Sequence, residues 1–154
     1  MPALKHRLLA RSIDLNSGNA APYYRRAAID VFPMMTRLRA RFDEDTQLSP
    51  WYGVVGDDAM PIAKLPLKKL REACQFFDPI YDDNLQMAFE RSSCDWESGL
   101  EDMRGVKLLS FMLQDVQQRR EMGRMLMLRT RLAMAEQRYD AAVPSMRNQY
   151  RLGN

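Results

Sequence analysis

The sequence predicts an all-α fold: one domain, an antiparallel bundle or array of about six or seven helices. Three observations lead there. Ala, Leu, Met, Arg, Gln and Glu crowd the chain while Val, Ile and Thr are scarce, and the first group are helix formers. Apolar residues recur three and four apart through most segments, the period of a helix buried on one side. With 154 residues, 46% of them hydrophobic and 28% charged, the chain is long enough for a single domain with a sizeable core.

The elements follow in order. Residues 3–14 carry Leu4, Leu8, Leu9 and Ile13 at helical spacing. Asn16-Ser17-Gly18-Asn19 is a turn cluster, in which Gly18 can take positive φ. Asn19 is placed to accept a hydrogen bond from a free amide of the next helix, and Pro22 falls early in it, where its missing N–H costs little. Tyr23 or Tyr24, Ala27, Ala28, Val31 and Phe32 are expected on its buried side. Pro33 is expected to kink or end it. A further helix would then bury Met34, Met35, Leu38 and Phe42.

Residues 45–65 break the pattern, punctuated by Pro50, Gly53, Gly56 and Pro61 with Asp57-Asp58 at the centre. A loop this long in a compact domain is uncommon and often functional; the alternative is a loop pinned to the helices by Trp51, Tyr52 and Val54-Val55. Leu67, Leu70, Cys74 and Phe77 mark the next helix. Asp78-Pro79 reads as a cap and a helix-initiating proline opening a short helix with Ile80, Leu85, Ala88 and Phe89 apolar. From about Leu100 to Gln137 the pattern is one long helix, or two stacked ones with a break near Ser110. Val106, Leu109, Leu113, Val116, Met122, Met125, Leu126, Arg129, Leu132 and Ala133 trace its apolar stripe, and Lys107, Asp115, Gln118, Arg119, Glu121 and Arg131 its polar side. A last helix starts after "EQRYD", with Pro144 in its first turn.

Composition bounds function. A net charge of +3, from 23 basic and 20 acidic residues, is too mild for a nucleic-acid interface. No apolar run approaches the ~20 residues of a membrane span, and "MPALKHRLLARSIDL" lacks a signal peptide's apolar core. One histidine and two cysteines without a CxxC are too few ligands for a zinc site. Cys74 and Cys94 are expected as buried thiols, with a single disulfide as the alternative.

Candidate site residues each have an ordinary structural use. Asp95 caps a helix and Trp96 packs as an anchor, or Trp96 is a ligand platform. Asp43-Glu44-Asp45, Asp57-Asp58 and Asp82-Asp83 lack the alternating spacing of a calcium loop and suit caps and turns. Met122, Met125 and Met127 suit core filling better than copper binding. His6 shows no orienting partner. Arg119, Arg120, Arg124, Arg129 and Arg131 form a basic run diluted by acids, as on a solvated face with i,i+4 pairs.

"RLAMAEQRYDAAV" resembles the turn of a tetratricopeptide-type repeat, in which small alanines let two antiparallel helices touch and a tyrosine fills the corner. Here those are Ala133, Ala135, Tyr139 and Ala142, with Gln137 where a turn glycine is usual, and no clean 34-residue period runs along the chain. More broadly "GNAAPYYRRA", then "CDWES", then a long Arg/Leu helix, then "LAMAEQRYDAAV" looks like a family of uncharacterised helical proteins of planctomycete bacteria. This second resemblance implies an exported or membrane-anchored protein, trimmed here at both ends, while the tetratricopeptide-type turn implies that the bundle ends in a repeat-like hairpin over about 111–154. It implies no activity.

The functional expectation is a non-enzymatic helical scaffold for a protein or peptide partner, without cofactor or metal. The anchors are Trp51, Tyr52, Asp57, Asp58, Trp96, Arg124, Arg131 and Tyr139. The alternative is a hydrolase or ligand-binding domain with Asp57 and Asp58 as reactive carboxylates, partnered by Glu97, Glu101 or an arginine.

Overall fold

A computed structural model of the chain describes residues 15–42, 51, 60–95 and 104–153. The helix expected over 3–14 lies outside them, as does most of the 45–65 loop. Within the described residues the protein is mostly helical, in the order β1 (Asn16–Asn19), α1 (Ala21–Arg41), a 3-10 turn (Ile62–Lys64), α2 (Leu67–Ile80), a π-helical turn (Tyr81–Leu85), α3 (Gln86–Phe89), β2 (Arg91–Ser93), α4 (Val106–Ala135) and α5 (Tyr139–Gly153).

The helices meet over one apolar core. Leu38 of α1, Leu70 and Phe77 of α2, Leu85 of the π turn, and Met122, Met125, Leu126 and Leu128 of α4 are fully buried. Each such side chain contributes about 1.5–3 kcal/mol of burial free energy. Aromatic rings close one end: Tyr24 packs edge-on to Phe89 at 5.9 Å between centroids, and Tyr81 lies between Phe77 and Phe89. At another edge Trp51 is buried, its ring perpendicular to Phe42 at 5.7 Å. Met122 and Met125 are core filler; Met127 is only half-buried.

Three prolines behave differently from expectation. Pro144, expected in the first turn of the last helix, lies inside α5, beyond that turn. Pro33 lies inside an unbroken α1. It sits on the exposed side of the helix, one turn after the exposed Ile29, so the carbonyl it leaves unbonded is within reach of water. Pro79 likewise falls inside α2 on an exposed position. The chain accommodates it in a helix that widens into a π turn just beyond, where the Gln86 amide donates to the Tyr81 carbonyl, rather than breaking and restarting.

A second correction is a parallel two-stranded ribbon, where turns were expected. Asn16 pairs with Arg91 and Asn19 with Ser93. The Asn16 amide donates to the Glu90 carbonyl at 2.7 Å and the Ala20 amide to the Ser93 carbonyl at 2.9 Å. Gly18, at φ 123°, permits the irregular register. Asn19 starts α1: its Oδ1 accepts from the Ala21 amide at 3.0 Å and from the Asp95 amide at 2.8 Å, while its Nδ2 donates to the Asp95 carbonyl. Asp95 thus serves the entry of α1, at the far end of a strand pair that only the folded chain assembles.

α4 and α5 form an antiparallel hairpin. Ala133 of α4 and Ala142 and Ser145 of α5 are buried, and small residues there allow close approach. α4 runs without a break through Ser110, starting after Gly105 at φ 62°. The turn is a Schellman motif: the Arg138 amide donates to the Ala133 carbonyl and the Gln137 amide to that of Met134, with Gln137 at φ 58°.

Candidate docking groove

Of the residues proposed from sequence, Tyr52, Asp57, Asp58 and Trp96 lie outside the described residues, as do Glu97 and Glu101. The remaining four are scattered. Trp51 is a core residue. Arg124 pairs with Glu121 one turn back on α4. Arg131, placed on the polar side by sequence, is buried, and its Nη2 donates to the Met60 carbonyl, tying the end of the mid-chain loop to α4. Tyr139 does not fill the corner of the hairpin; it stands exposed at the start of α5. The turn is closed instead by backbone hydrogen bonds and by Glu136, whose carboxylate accepts from Arg71 Nε at 2.5 Å and from Arg138 Nε at 2.9 Å.

Among the described residues, burial is the main cause of the shift at most of the perturbed titratable groups. Burial pushes the Cys74 thiol up to about 12, and does the same to the Tyr24 phenol. Asp78 pairs with Arg129, whose guanidinium lies over the Tyr81 ring at 4.0 Å; burial still raises the Asp78 carboxyl above its ordinary range. Both thiols are free, and Cys94 is exposed rather than buried. No group of three metal-ligating side chains occurs among the described residues, and no helix there is long and apolar enough to cross a membrane.

What the fold does offer is a groove of about 620 Å³ between α1 and α4. One wall is apolar. Ile29 and Phe32, one turn apart on α1, are 70% and 74% exposed, with Pro33 and Thr36 beside them. Among the described residues the facing wall is polar, made by Gln114, Gln117 and Gln118 of α4. Arg39 and Glu121 supply one charge of each sign. The arrangement follows from helical phase. Val31, Met34, Met35 and Leu38 turn into the core, and Ile29, Phe32 and Thr36 form a second row at i, i+3, i+7, alongside it.

Sequence reasoning put Phe32 on the buried side and passed over Ile29. The available signal was that same second row, which widens the apolar arc of α1 beyond what one core contact needs. An apolar wall facing a row of amides suits a segment that is itself apolar on one side and hydrogen-bonding on the other. Neither a family model, a curated protein nor a solved structure matches this chain.

Proposed function

We propose that the protein is a non-enzymatic interaction module that holds an amphipathic helical segment of a protein or peptide in the groove between α1 and α4. The observation that supports it is the pair of large apolar side chains, Ile29 and Phe32, each more than two-thirds exposed on one helix and lining a 620 Å³ groove. Exposed apolar patches rimmed by polar residues mark interaction sites, and a helix docked in a groove presents its own apolar residues, three and four apart, to such a wall. The ligand's apolar face would cover Ile29 and Phe32, and its polar edge would meet the amides of Gln114 and Gln117.

The hairpin of α4 and α5 we read as a tetratricopeptide-like unit within a helical array. Its support is the burial of the small residues Ala133 and Ala142 on the two helices and the left-handed turn residue at 137. By the resemblance to the planctomycete family, the setting is extracytoplasmic. The test of the groove is selection of helical peptides from a random display library against the intact chain. Peptides with apolar residues three and four apart should be enriched, and Ile29→Glu with Phe32→Glu should abolish their binding while helicity by circular dichroism stays unchanged. Peptides that bind the double variant equally well, or no enrichment over a blank surface, would rule out the groove.

A further inference from the structure

The first half of α4 presents a separate apolar row. Val106, Leu109, Leu113 and Val116 are 78%, 60%, 62% and 49% exposed. The second half of the same helix buries Met122, Met125, Leu126, Leu128 and Leu132 in the core. The two rows are not continuous. Met122 lies six positions after Val116, which at 3.6 residues per turn rotates the apolar side by about 120°. From Val116 to Met125 the rotation is about 180°, so the exposed row lies on the far side of α4 from the core.

Its spacing of three, four and three residues is the a/d spacing of a helix that pairs with another helix. Its order, Val-Leu-Leu-Val, reads the same in both directions. A two-fold contact between identical subunits requires a patch that complements itself, and this row does so when two copies lie antiparallel about a centre at position 111. Val106 then meets Val116 of the second copy, and Leu109 meets Leu113.

The charge that follows the row selects this direction over the parallel one. Arg120 is exposed and lies one heptad beyond Leu113, on the same line. Parallel pairing would bring two guanidinium groups together in the seam. Antiparallel pairing separates them by about 27 Å, at 1.5 Å per residue. We infer that the row from Val106 to Val116 is a self-association surface, joining two copies of this chain antiparallel through α4. Four side chains so exposed offer on the order of 400 Å² per copy and ~800 Å² per pair, below the ~1,200 Å² at which standard interfaces begin. The dimer is therefore weak and reversible.

The experiment is sedimentation velocity of the intact chain over a wide concentration range. The wild type should pass from monomer towards dimer as concentration rises. Leu109→Lys with Leu113→Lys should stay monomeric throughout, its dimerisation weakened at least tenfold, with unchanged helicity because both positions are exposed. Ile29→Glu with Phe32→Glu should dimerise like the wild type, which separates this surface from the peptide groove. In a Cys94→Ser background, copies carrying Val106→Cys should cross-link with copies carrying Val116→Cys, and neither should cross-link with itself, because like positions lie about 15 Å apart. A wild type that is monomeric at every concentration, a lysine variant that still dimerises, or efficient self-cross-linking of Val106→Cys would each overturn the inference.

Discussion

Arg151 of α5 donates a hydrogen bond from Nη2 to the backbone carbonyl of Arg91 at 2.6 Å, and its Nη1 donates to the Phe89 carbonyl. One side chain thus closes the end of α3 and ties the last helix to β2. The Phe89 carbonyl is one of the helix-terminal acceptors that have no partner within the helix, and a guanidinium there also opposes the helix dipole. Arg91 in turn donates to the Ser17 carbonyl and the Tyr23 hydroxyl, so the clamp reaches β1 and α1. Arg151→Ala is expected to cost about 2 kcal/mol, the scale of hydrogen bonds to a charged group. That corresponds to about 4–8 °C in Tm for a chain of this size. Arg151→Lys should recover less than half, because an ammonium lacks the planar fork that spans two carbonyls. Thermal unfolding monitored by circular dichroism measures both. An Arg151→Lys variant as stable as wild type would show that charge alone suffices.

Gln137 occupies a left-handed backbone conformation, φ 58°, that glycine adopts without a steric penalty. The Schellman hydrogen bonds on either side hold it there. Gln137→Gly is expected to stabilise the protein by about 0.5–1 kcal/mol, since relief of the Cβ clash outweighs the added backbone entropy of the unfolded chain. Gln137→Val should destabilise it by at least as much, because a β-branched residue suits this conformation least. Urea unfolding of the three proteins gives the order. If glycine proves the least stable of them, the strain assigned to Gln137 is absent.

The sequence made much of the helical core legible and little of what connects it. Met34, Met35, Leu38, Leu70 and Phe77 follow the 3.6-residue period, and that period is a local signal. Pro33 and Pro79 were misread because the rule that proline ends a helix assumes that the freed carbonyl has no other partner. Whether it faces water or protein is set by tertiary packing. The β1–β2 ribbon was illegible because Asn16 and Arg91 meet only once the chain between them has folded. The exposed row on α4 was legible only in part. Val106 to Val116 and Met122 to Ala133 read as one stripe until the six-residue step between them is converted into an angle. The buried Arg131 violates the ordinary expectation for a charged side chain, and its use of the Met60 carbonyl depends on a loop whose path the sequence does not specify.

Glu136 is held by two arginines, Arg138 and Arg71, each more than half exposed. The Arg138 hydrogen bond, with a lesser contribution from Arg71, lowers its carboxyl below the ordinary glutamate value. A folded-state pKa below that of the unfolded chain means a stabilisation that is complete above the ordinary glutamate pKa and is lost as pH falls through the lowered one. Because both partners are solvent-screened, the effect is on the order of 1 kcal/mol or less. Glu136→Gln should therefore unfold earlier in urea at pH 7 and match the wild type once pH is below the lowered value. A deficit that persists unchanged at acid pH would assign Glu136 a packing role instead of an ionic one.

The two thiols should react at very different rates. Cys94 is exposed, although desolvation raises its thiol too, whereas Cys74 is buried and desolvation pushes its thiol up to about 12. Since the thiolate is the nucleophile, a chromogenic disulfide reagent at pH 8 should label one equivalent quickly and the second only as fast as the fold opens. Cys94→Ser should remove the fast phase alone. Two fast equivalents in the native protein would mean that the α2 face carrying Cys74 is open to solvent.

Phe32 and Leu38 share a helix but face opposite environments, and the contrast between them tests the reading of α1. Leu38 is fully buried, so Leu38→Ala should cost about 2–5 kcal/mol through lost transfer free energy and the cavity left behind. Phe32, at the edge of the groove, should tolerate Phe32→Gln within about 0.5 kcal/mol, as surface positions do. A large exposed aromatic that adds nothing to stability fits a residue used for contact with something else. Equilibrium unfolding in urea decides the matter. If Phe32→Gln is destabilised by as much as Leu38→Ala, Phe32 belongs to the core and the apolar wall of the groove is not there to be bound.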